Sequence, residues 1–127
     1  MIVLDASVMI AILDGSDAHF PRAKDLFLRH TSERFAAHRL TLGETLVRPA
    51  RVGRERAVAA SLAMLGVGYL DAPDDPVELA RLRADSGLKL PDCCVLHAAL
   101  REKAKLATFD ARLAAAASSV GVPLVTA

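Results

Sequence analysis

The chain has 127 residues, of which 53% are hydrophobic and 24% charged, and its formal net charge is +1. This length favours a single domain over residues 1–127, and the dispersed hydrophobic residues exclude a disordered protein. No uncharged apolar stretch approaches the roughly 20 residues that span a bilayer, and the N-terminus lacks the basic region and long apolar core of a signal peptide. We therefore expect a cytoplasmic protein.

The first half of the chain predicts two strands and four helices. Residues 2–5 form a short apolar run suited to a buried parallel strand, and a helix follows over about 7–13. A second helix is predicted over 18–30 and a weaker strand over 34–38. The next helix covers about 40–51, where Pro49 must kink or shorten it. Residues 54–65 are amphipathic with helical spacing.

The second half continues the alternation. A strand is predicted over 67–70, then a helix that Asp75 and Pro76 open and that Gly87 can end. Another helix runs from Pro91 to about residue 103, followed by a strand at 106–109, a helix at 111–119 and a fifth strand at 122–125. Pro123 suits an edge position in that strand. Alternating strands and helices predict an α/β fold, with a five-stranded, mostly parallel sheet flanked by helices.

Four acidic residues stand in apolar settings where an isolated carboxylate is costly to bury. They are Asp5, Glu44, Asp92 and Asp110. Chain direction puts all four at the carboxyl edge of the predicted sheet, where open α/β folds place their sites. An oxygen-rich anionic pocket suits Mg²⁺ or Mn²⁺. The hydroxyls of Ser7 and Thr108, each two residues from an acid, can orient the ligand carboxylates.

Each acid also has a local interpretation. Asp5 and Asp110 can cap the helices that follow them, and Asp92 can stabilise its helix through the macrodipole. Glu44 can pair with Arg48 four residues later. Taken together these interpretations are weaker, because two like charges 4 Å apart repel by about 4 kcal/mol at an effective dielectric near 20. A cation that neutralises the group explains it better.

Other cofactor chemistry has little support in the sequence. The four histidines form no pair at zinc-ligand spacing and none lies beside a cysteine, and no phosphate-binding glycine loop is present. The adjacent Cys93 and Cys94 are poor disulfide partners, so we expect reduced, partly buried thiols.

Four short motifs follow one another along the chain: Ile2-Val-Leu-Asp5-Ala-Ser7, Leu40-Thr-Leu-Gly-Glu44, Leu90-Pro-Asp92-Cys-Cys-Val-Leu and Thr108-Phe-Asp110-Ala-Arg-Leu. Together they resemble the motifs of PIN-domain ribonucleases, specifically the VapC-type toxins of bacterial toxin–antitoxin pairs. The resemblance covers essentially the whole chain and implies a three-layer PIN-like fold. It also implies Mg²⁺- or Mn²⁺-dependent RNA cleavage, inhibition by a small VapB-type antitoxin, and a homodimer.

The resemblance transfers the family's acidic quartet to the four acids and its conserved hydroxyls to Ser7 and Thr108. Asp5 and Asp92 are the first choices as direct metal ligands. Glu44 and Asp110 would hold water, complete a second site or assist proton transfer. The RNA backbone would be held by basic side chains near Glu44, and a solvated helix face is the competing interpretation, favoured for any one of them taken alone: Arg48, Arg51, Arg54 and Arg56.

Two alternatives remain open at this point. One is a metal-dependent phosphatase-like α/β enzyme, although a haloacid-dehalogenase-like site wants a second Asp where this chain has Ser7. The other is a non-catalytic binding module in which the acids are only helix caps.

Overall fold

The protein folds around a four-stranded parallel sheet in the part of the chain that the structure, a computed structural model, describes, residues 1–71 and 73–125. The strands are β1 (Ile2–Leu4), β2 (Phe35–His38), β3 (Val67–Leu70) and β4 (Lys105–Ala107), in the order β3-β2-β1-β4. Every neighbouring pair is parallel, with Ile2 opposite Phe35 on one side and opposite Lys105 on the other. The predicted α/β fold is confirmed.

Seven helices connect and cover the strands within the described residues. They are α1 (Ala6–Leu13), α2 (Phe20–Arg29), α3 (Arg39–Ala50), α4 (Glu55–Met64), α5 (Pro76–Ser86), α6 (Leu90–Arg101) and α7 (Ala111–Ser119). Asp75 caps α5 by accepting a hydrogen bond from the Val77 amide, and Gly87 ends it with a φ of 74°. Pro49 lies inside helix α3, which ends one residue later at Ala50, close to the predicted end. None of these helices is long and apolar enough to cross a membrane.

The hydrophobic core has two parts, one on each face of the sheet. Ile2 and Leu4 contribute to the part that contains Val8, Leu26 and other residues of α1, α2 and α4. The alternate residue of β1, Val3, contributes to the part built with α5, α6 and α7. This alternation follows from the period of two along a strand. A parallel sheet covered on both faces is the three-layer arrangement that the sequence predicts.

The prediction of a fifth strand over residues 122–125 is wrong. Among the residues that the structure describes there, up to Val125, a single isolated parallel bridge joins Leu124 to Leu106. Leu106 donates its amide to the Pro123 carbonyl and accepts from the Val125 amide, both at 2.9 Å. Pro123 has no amide of its own to donate, and Gly121 leaves α7 with a φ of 82°, so the segment pairs at one residue rather than along a strand.

The direction of the strands determines which loops share an edge. Asp5 directly follows β1, and Thr108 begins the loop after β4. Helix α3, which carries Glu44, leaves the carboxyl end of β2. Helix α6 leads into the amino end of β4, so this helix begins at the carboxyl edge of the sheet. Asp92 lies in the first turn of α6. All four acids thus belong to segments at the carboxyl edge of the sheet.

Candidate active site

Asp5 is buried, with 6% of its surface exposed, and it caps α1. Its Oδ1 accepts hydrogen bonds from the Ser7 hydroxyl at 2.6 Å and from the Val8 amide at 3.2 Å. Its Oδ2 accepts a hydrogen bond from the Thr108 hydroxyl. Because a carboxylate oxygen has two lone pairs, Oδ1 is saturated by these donors while Oδ2 retains one free lone pair. Asp5 can therefore act as a helix cap and still offer one oxygen to a ligand.

Ser7 and Thr108 connect the ends of β1 and β4 through Asp5. The Ser7 oxygen accepts the Phe109 amide at 3.0 Å while its proton goes to Asp5. The Thr108 oxygen likewise accepts the Asp110 amide at 3.0 Å. Each hydroxyl is both donor and acceptor, so the rotamer of Asp5 is held by Ser7 in the first turn of α1 and by Thr108 in the loop after β4.

Asp110 lies at the start of α7 and caps it. Its Oδ1 accepts hydrogen bonds from the Arg112 amide at 2.8 Å and the Leu113 amide at 3.1 Å. The other oxygen receives no hydrogen bond from the described residues. The capping interpretation is thus confirmed for Asp5 and Asp110, and in both residues capping occupies one oxygen and leaves the other able to bind a cation.

Glu44 and Asp92 make no side-chain hydrogen bond or ion pair with the described residues. Glu44 lies in the second turn of α3 and is exposed, whereas Asp92 is half-buried at the third residue of α6. The predicted alternative for Glu44, an ion pair with Arg48, is not formed within 4.0 Å. These two carboxylates are therefore not explained by local pairing.

The charges of the four acids act on one another. Burial raises the pKa of Glu44 above its ordinary value, and the charges of Asp92 and Asp5 raise it further. Burial also raises the pKa of Asp92, with a contribution from Asp110. Burial raises the pKa of Asp5 against the opposing effect of its hydrogen bonds, and the Asp110 charge adds to the increase. The acids thus form a chain of mutually repelling groups.

The carboxylates do not all converge on one point. In residues 1–71 and 73–125, no three of the four acids bring one oxygen each within 4.8 Å of one another. A shared ion would require side-chain rotation, which Asp92 and Glu44 can make because nothing in the described chain holds their carboxylates. Asp5, in contrast, is fixed by three hydrogen bonds.

A cavity of about 390 Å³ adjoins the acids on the side of α5, α6 and α7. Asp92 and Asp110 line it together with three cationic side chains, Arg83, Lys89 and Arg112. The charges of Lys89 and Arg112 oppose the increase in the pKa of Asp92. These cations were not predicted from the sequence, because Arg83, Lys89 and Arg112 belong to three different elements of the chain and form no local basic cluster.

The arginines that sequence reasoning selected lie at the junction of α3 and α4, where all four are exposed: Arg48, Arg51, Arg54 and Arg56. None forms an ion pair with a carboxylate of the described residues. Hydrogen bonds from the Ser16 hydroxyl and amide lower the pKa of Asp14, and the charge of Arg48 makes a smaller contribution in the same direction. These side chains are available to a polyanion, and their role stays a prediction.

A second cluster of polar side chains lies beside the site. Its residues are far apart in the sequence, so no local motif predicted it. His38, Asp74 and Cys94 bring one potential ligand atom each within 4.8 Å of one another. The His38 Nδ1 accepts the Leu40 amide at 3.0 Å, so the ring proton resides on Nε2, which donates to Asp74 Oδ2 at 2.8 Å. A zinc ion at Nε2 would require a ring without either proton. The geometry therefore fits a hydrogen-bonded histidine–aspartate pair better than a zinc site.

Cationic and thiol groups complete this second group. The guanidinium of Arg101 lies 3.7 Å from Asp74 Oδ1 and 3.3 Å from the His97 Nδ1. Cys93 and Cys94 are free and buried, which agrees with the prediction of reduced thiols. Burial raises the pKa of Cys94 to about 11, with contributions from the charges of Asp74, Cys93 and Glu44. The Cys94 thiol is therefore protonated and poorly nucleophilic near neutral pH.

The family model for the PIN domain matches residues 2–118 of this sequence. The chain therefore belongs to the PIN domain family, and the resemblance seen in its four motifs is confirmed at that level. A search of curated protein sequences found no match.

Solved structures share the fold over nearly the full chain. PAE2754 from Pyrobaculum aerophilum is 25% identical, with a TM-score of 0.62 and coverage of 94% of this chain and 90% of that one. A toxin–antitoxin complex from Klebsiella pneumoniae gives 22% identity and a TM-score of 0.75, covering 99% and 97%. VapC20 from Mycobacterium tuberculosis, described as a toxin that cleaves the sarcin–ricin loop, gives 19% identity and a TM-score of 0.70 with full coverage of both chains.

Proposed function

We propose that this protein is a divalent-metal-dependent endoribonuclease that acts as the toxin of a toxin–antitoxin pair. The observation that carries the proposal is the set of four mutually repelling carboxylates at the carboxyl edge of a PIN-domain sheet. PIN domains are typically nucleases, and structural neighbours of this chain include toxins. Because the sequence identities are low, these neighbours support only the fold. The proposed activity therefore rests on the four acids themselves.

The donor set fits Mg²⁺ or Mn²⁺. All candidate ligands are carboxylate oxygens, which hard divalent cations prefer, and their mutual repulsion is relieved by a positive ion. Asp5 would offer Oδ2, and Asp92 would be the second direct ligand, with Glu44 and Asp110 completing the site. When bound, the cation supplies a lowered pKa for water and offsets negative charge on the phosphate.

The chain's own residues hold and orient these groups. Ser7 and Thr108 keep Asp5 in one rotamer, so its free lone pair points in a constant direction. Glu44, whose pKa is raised, is suited to accept the proton of the attacking water at a carboxylate oxygen. Helix α7, capped by Asp110, holds that carboxylate at the loop after β4.

RNA is proposed to approach across the exposed arginines of the α3–α4 junction, Arg48, Arg51, Arg54 and Arg56. The chain has no Trp, one Tyr and four Phe, so it offers few platforms for stacking bases. Structured RNA that is recognised through its shape and backbone therefore fits better than a long single strand. An RNA substrate of this kind agrees with the cytoplasmic location that the sequence led us to expect.

The partner proposed here is a VapB-type antitoxin that covers the acidic edge, and the chain is proposed to form a homodimer. The support is that the neighbour from Klebsiella pneumoniae was solved as a toxin–antitoxin complex. A short adjacent gene that encodes a DNA-binding antitoxin would agree with this role.

The central test is RNA cleavage by the purified protein with Mn²⁺ or Mg²⁺. We expect cleavage that disappears in Asp5→Ala and Asp92→Ala while circular dichroism shows folded protein. Hydrolysis of phosphomonoesters with RNA left intact would instead support the phosphatase-like alternative. Metal-independent binding of a partner without any hydrolysis would support the non-catalytic module. Expression without an inhibitor should arrest growth, and unchanged growth with abundant soluble protein would contradict the toxin role.

A further inference from the structure

The cavity beside Asp92 and Asp110 has the composition of a phosphate-binding site rather than of an internal ion-pair network. Three cationic side chains line it, against two carboxylates. In an ion-pair network the cations would contact the acids directly. Here none of Arg83, Lys89 and Arg112 approaches a carboxylate oxygen of the described residues within 4.0 Å.

The three cations differ in how they are held. Arg83 donates to the Leu88 carbonyl at 2.8 Å and so anchors the loop between α5 and α6. Lys89, the residue before α6, and Arg112, in the first turn of α7, are exposed and have no side-chain partner in the described chain. Lys89 on the anchored loop and Arg112 on the capped helix α7 thus line the same cavity from two sides.

We propose that Lys89 and Arg112 bind the non-bridging oxygens of an RNA backbone phosphate next to the scissile one. This inference rests on the proposed ribonuclease function. The cavity adjoins two of the acids, so a strand whose scissile phosphate lies over the carboxylates passes its neighbouring phosphate into this space. Lysine and arginine are the usual donors to backbone phosphates, and such contacts position the strand without reading its sequence.

This subsite is separate from the α3–α4 arginines. The cavity lies on the side of the sheet covered by α5, α6 and α7. The four arginines lie instead at the end of α3, in the turn after it and at the start of α4. The two cationic surfaces would therefore hold the RNA on either side of the acids. Binding at both places would make the salt dependence of RNA affinity steeper than either surface alone provides.

The test measures RNA binding separately from cleavage. The Asp5→Asn variant serves as the non-cleaving background, and the probe is a fluorescein-labelled stem–loop RNA whose binding is followed by anisotropy between 50 and 200 mM salt. Lys89→Gln and Arg112→Gln should each reduce the slope of log K against log salt by about 1. Both should weaken stem–loops of unrelated sequence by the same factor. The matched control is Lys103→Gln, which removes an equal charge beyond the far end of the 12-residue helix α6.

The outcomes separate this inference from the function on which it rests. A protein that neither binds nor cleaves RNA removes the ribonuclease proposal itself. A protein that cleaves RNA, but whose salt slope is unchanged in Lys89→Gln and Arg112→Gln or is changed equally in Lys103→Gln, overturns the phosphate subsite alone. With Asp5 restored, calorimetric titration with Mn²⁺ should show no loss of metal affinity in Lys89→Gln or Arg112→Gln, because removing a cation relieves repulsion. A weakened metal affinity would also contradict the subsite. Thermal unfolding checks that each variant is folded.

Discussion

Thr108 donates its hydroxyl proton to Oδ2 of Asp5 from the loop of the neighbouring strand, and the same hydroxyl accepts the amide of Asp110. One side chain thereby orients one acid and the backbone of another. The strand order places this contact, because β1 and β4 are adjacent and parallel. Replacing Thr108 should consequently affect the site without removing any candidate metal ligand.

The first prediction concerns Thr108→Val. It keeps the β-branched shape but removes the donor to Asp5 and the acceptor for Asp110, so we expect a 10- to 100-fold loss of Mn²⁺ affinity or RNA cleavage. Thr108→Ser, which retains the hydroxyl, should behave nearly as wild type. Calorimetric Mn²⁺ titration and initial cleavage rates provide the measurements. Equal effects in the two variants would show that packing, rather than the hydroxyl, is responsible.

The second prediction concerns Asp5→Asn without metal. A carboxyl whose pKa is raised by folding stabilises the protein while protonated, below its unfolded pKa near 3.9, and this contribution is lost as pH rises through the folded pKa. The neutral amide avoids that loss and can still accept from Ser7 and Val8. Asp5→Asn should therefore become more stable relative to wild type as pH rises from 3 to 7. Each kcal/mol gained corresponds to about 4 °C in Tm.

Metal should reverse the order of stability for the same pair of proteins. Saturating Mn²⁺ binds the wild-type folded state and raises its Tm, whereas Asp5→Asn should gain much less. Thermal scans at several pH values, with EDTA and with Mn²⁺, test both statements. A large drop in the metal-free Tm of Asp5→Asn at neutral pH would indicate that the charged cap of α1 matters more than the repulsion.

The third prediction concerns the pair of His38 and Asp74. Asp74→Asn replaces the charged acceptor of the Nε2 proton by a neutral one and removes the charge beside Arg101, so we expect a loss of about 1–3 kcal/mol in the free energy of unfolding. The matched control is Asp71→Asn, which breaks the exposed pair with Arg39 and should cost 0–1 kcal/mol. Urea denaturation measures both.

Zinc provides an independent check on the same group. Because the Leu40 amide keeps the His38 Nδ1 unprotonated, we expect neither zinc addition nor zinc chelation to change the Tm of the apoprotein through this group. A zinc-dependent rise in Tm that is lost in Cys94→Ala and in His38→Ala would show that the hydrogen-bonded pair opens to bind metal.

The fourth prediction concerns thiol reactivity. With a pKa of about 11, roughly one in a thousand Cys94 thiols is ionised at pH 8, and the side chain is buried as well. Reaction of the native protein with Ellman's reagent should be slow and should accelerate greatly in guanidinium. Comparison with the variants Cys93→Ala and Cys94→Ala shows how fast each of the two thiols reacts. Rapid labelling of the native protein would contradict the buried, protonated state.

The edge shared by the four acids could be predicted from the sequence because it depends only on chain direction. Asp5 and Asp110 follow apolar strands, and in a parallel sheet the carboxyl ends of strands lie together. The hydroxyls were also accessible to prediction, since Ser7 and Thr108 stand two residues from an acid. Both hydroxyls donate hydrogen bonds to Asp5, whereas their role in catalysis stays a prediction.

Other features depend on side-chain geometry that residue order does not specify. The pair of His38 and Asp74 joins residues separated by 36 positions, and nothing in either local segment indicates the other. Lys89 and Arg112 share a cavity only because α6 and α7 begin at the same edge. The predicted strand at residues 122–125 does not form, and the reason is local. Pro123 cannot donate a backbone hydrogen bond, and strand propensity alone does not compensate for that loss.

The double use of Asp5 and Asp110 as helix caps has an evolutionary consequence. Selection against the activity proposed above could replace one of these carboxyls by alanine, which would also remove the cap of α1 or α7, typically at a cost of about 1 kcal/mol. Copies inactivated at Asp5 or Asp110 should consequently be less stable and more rapidly degraded, whereas copies inactivated at Glu44, which caps no helix, should remain folded and persist.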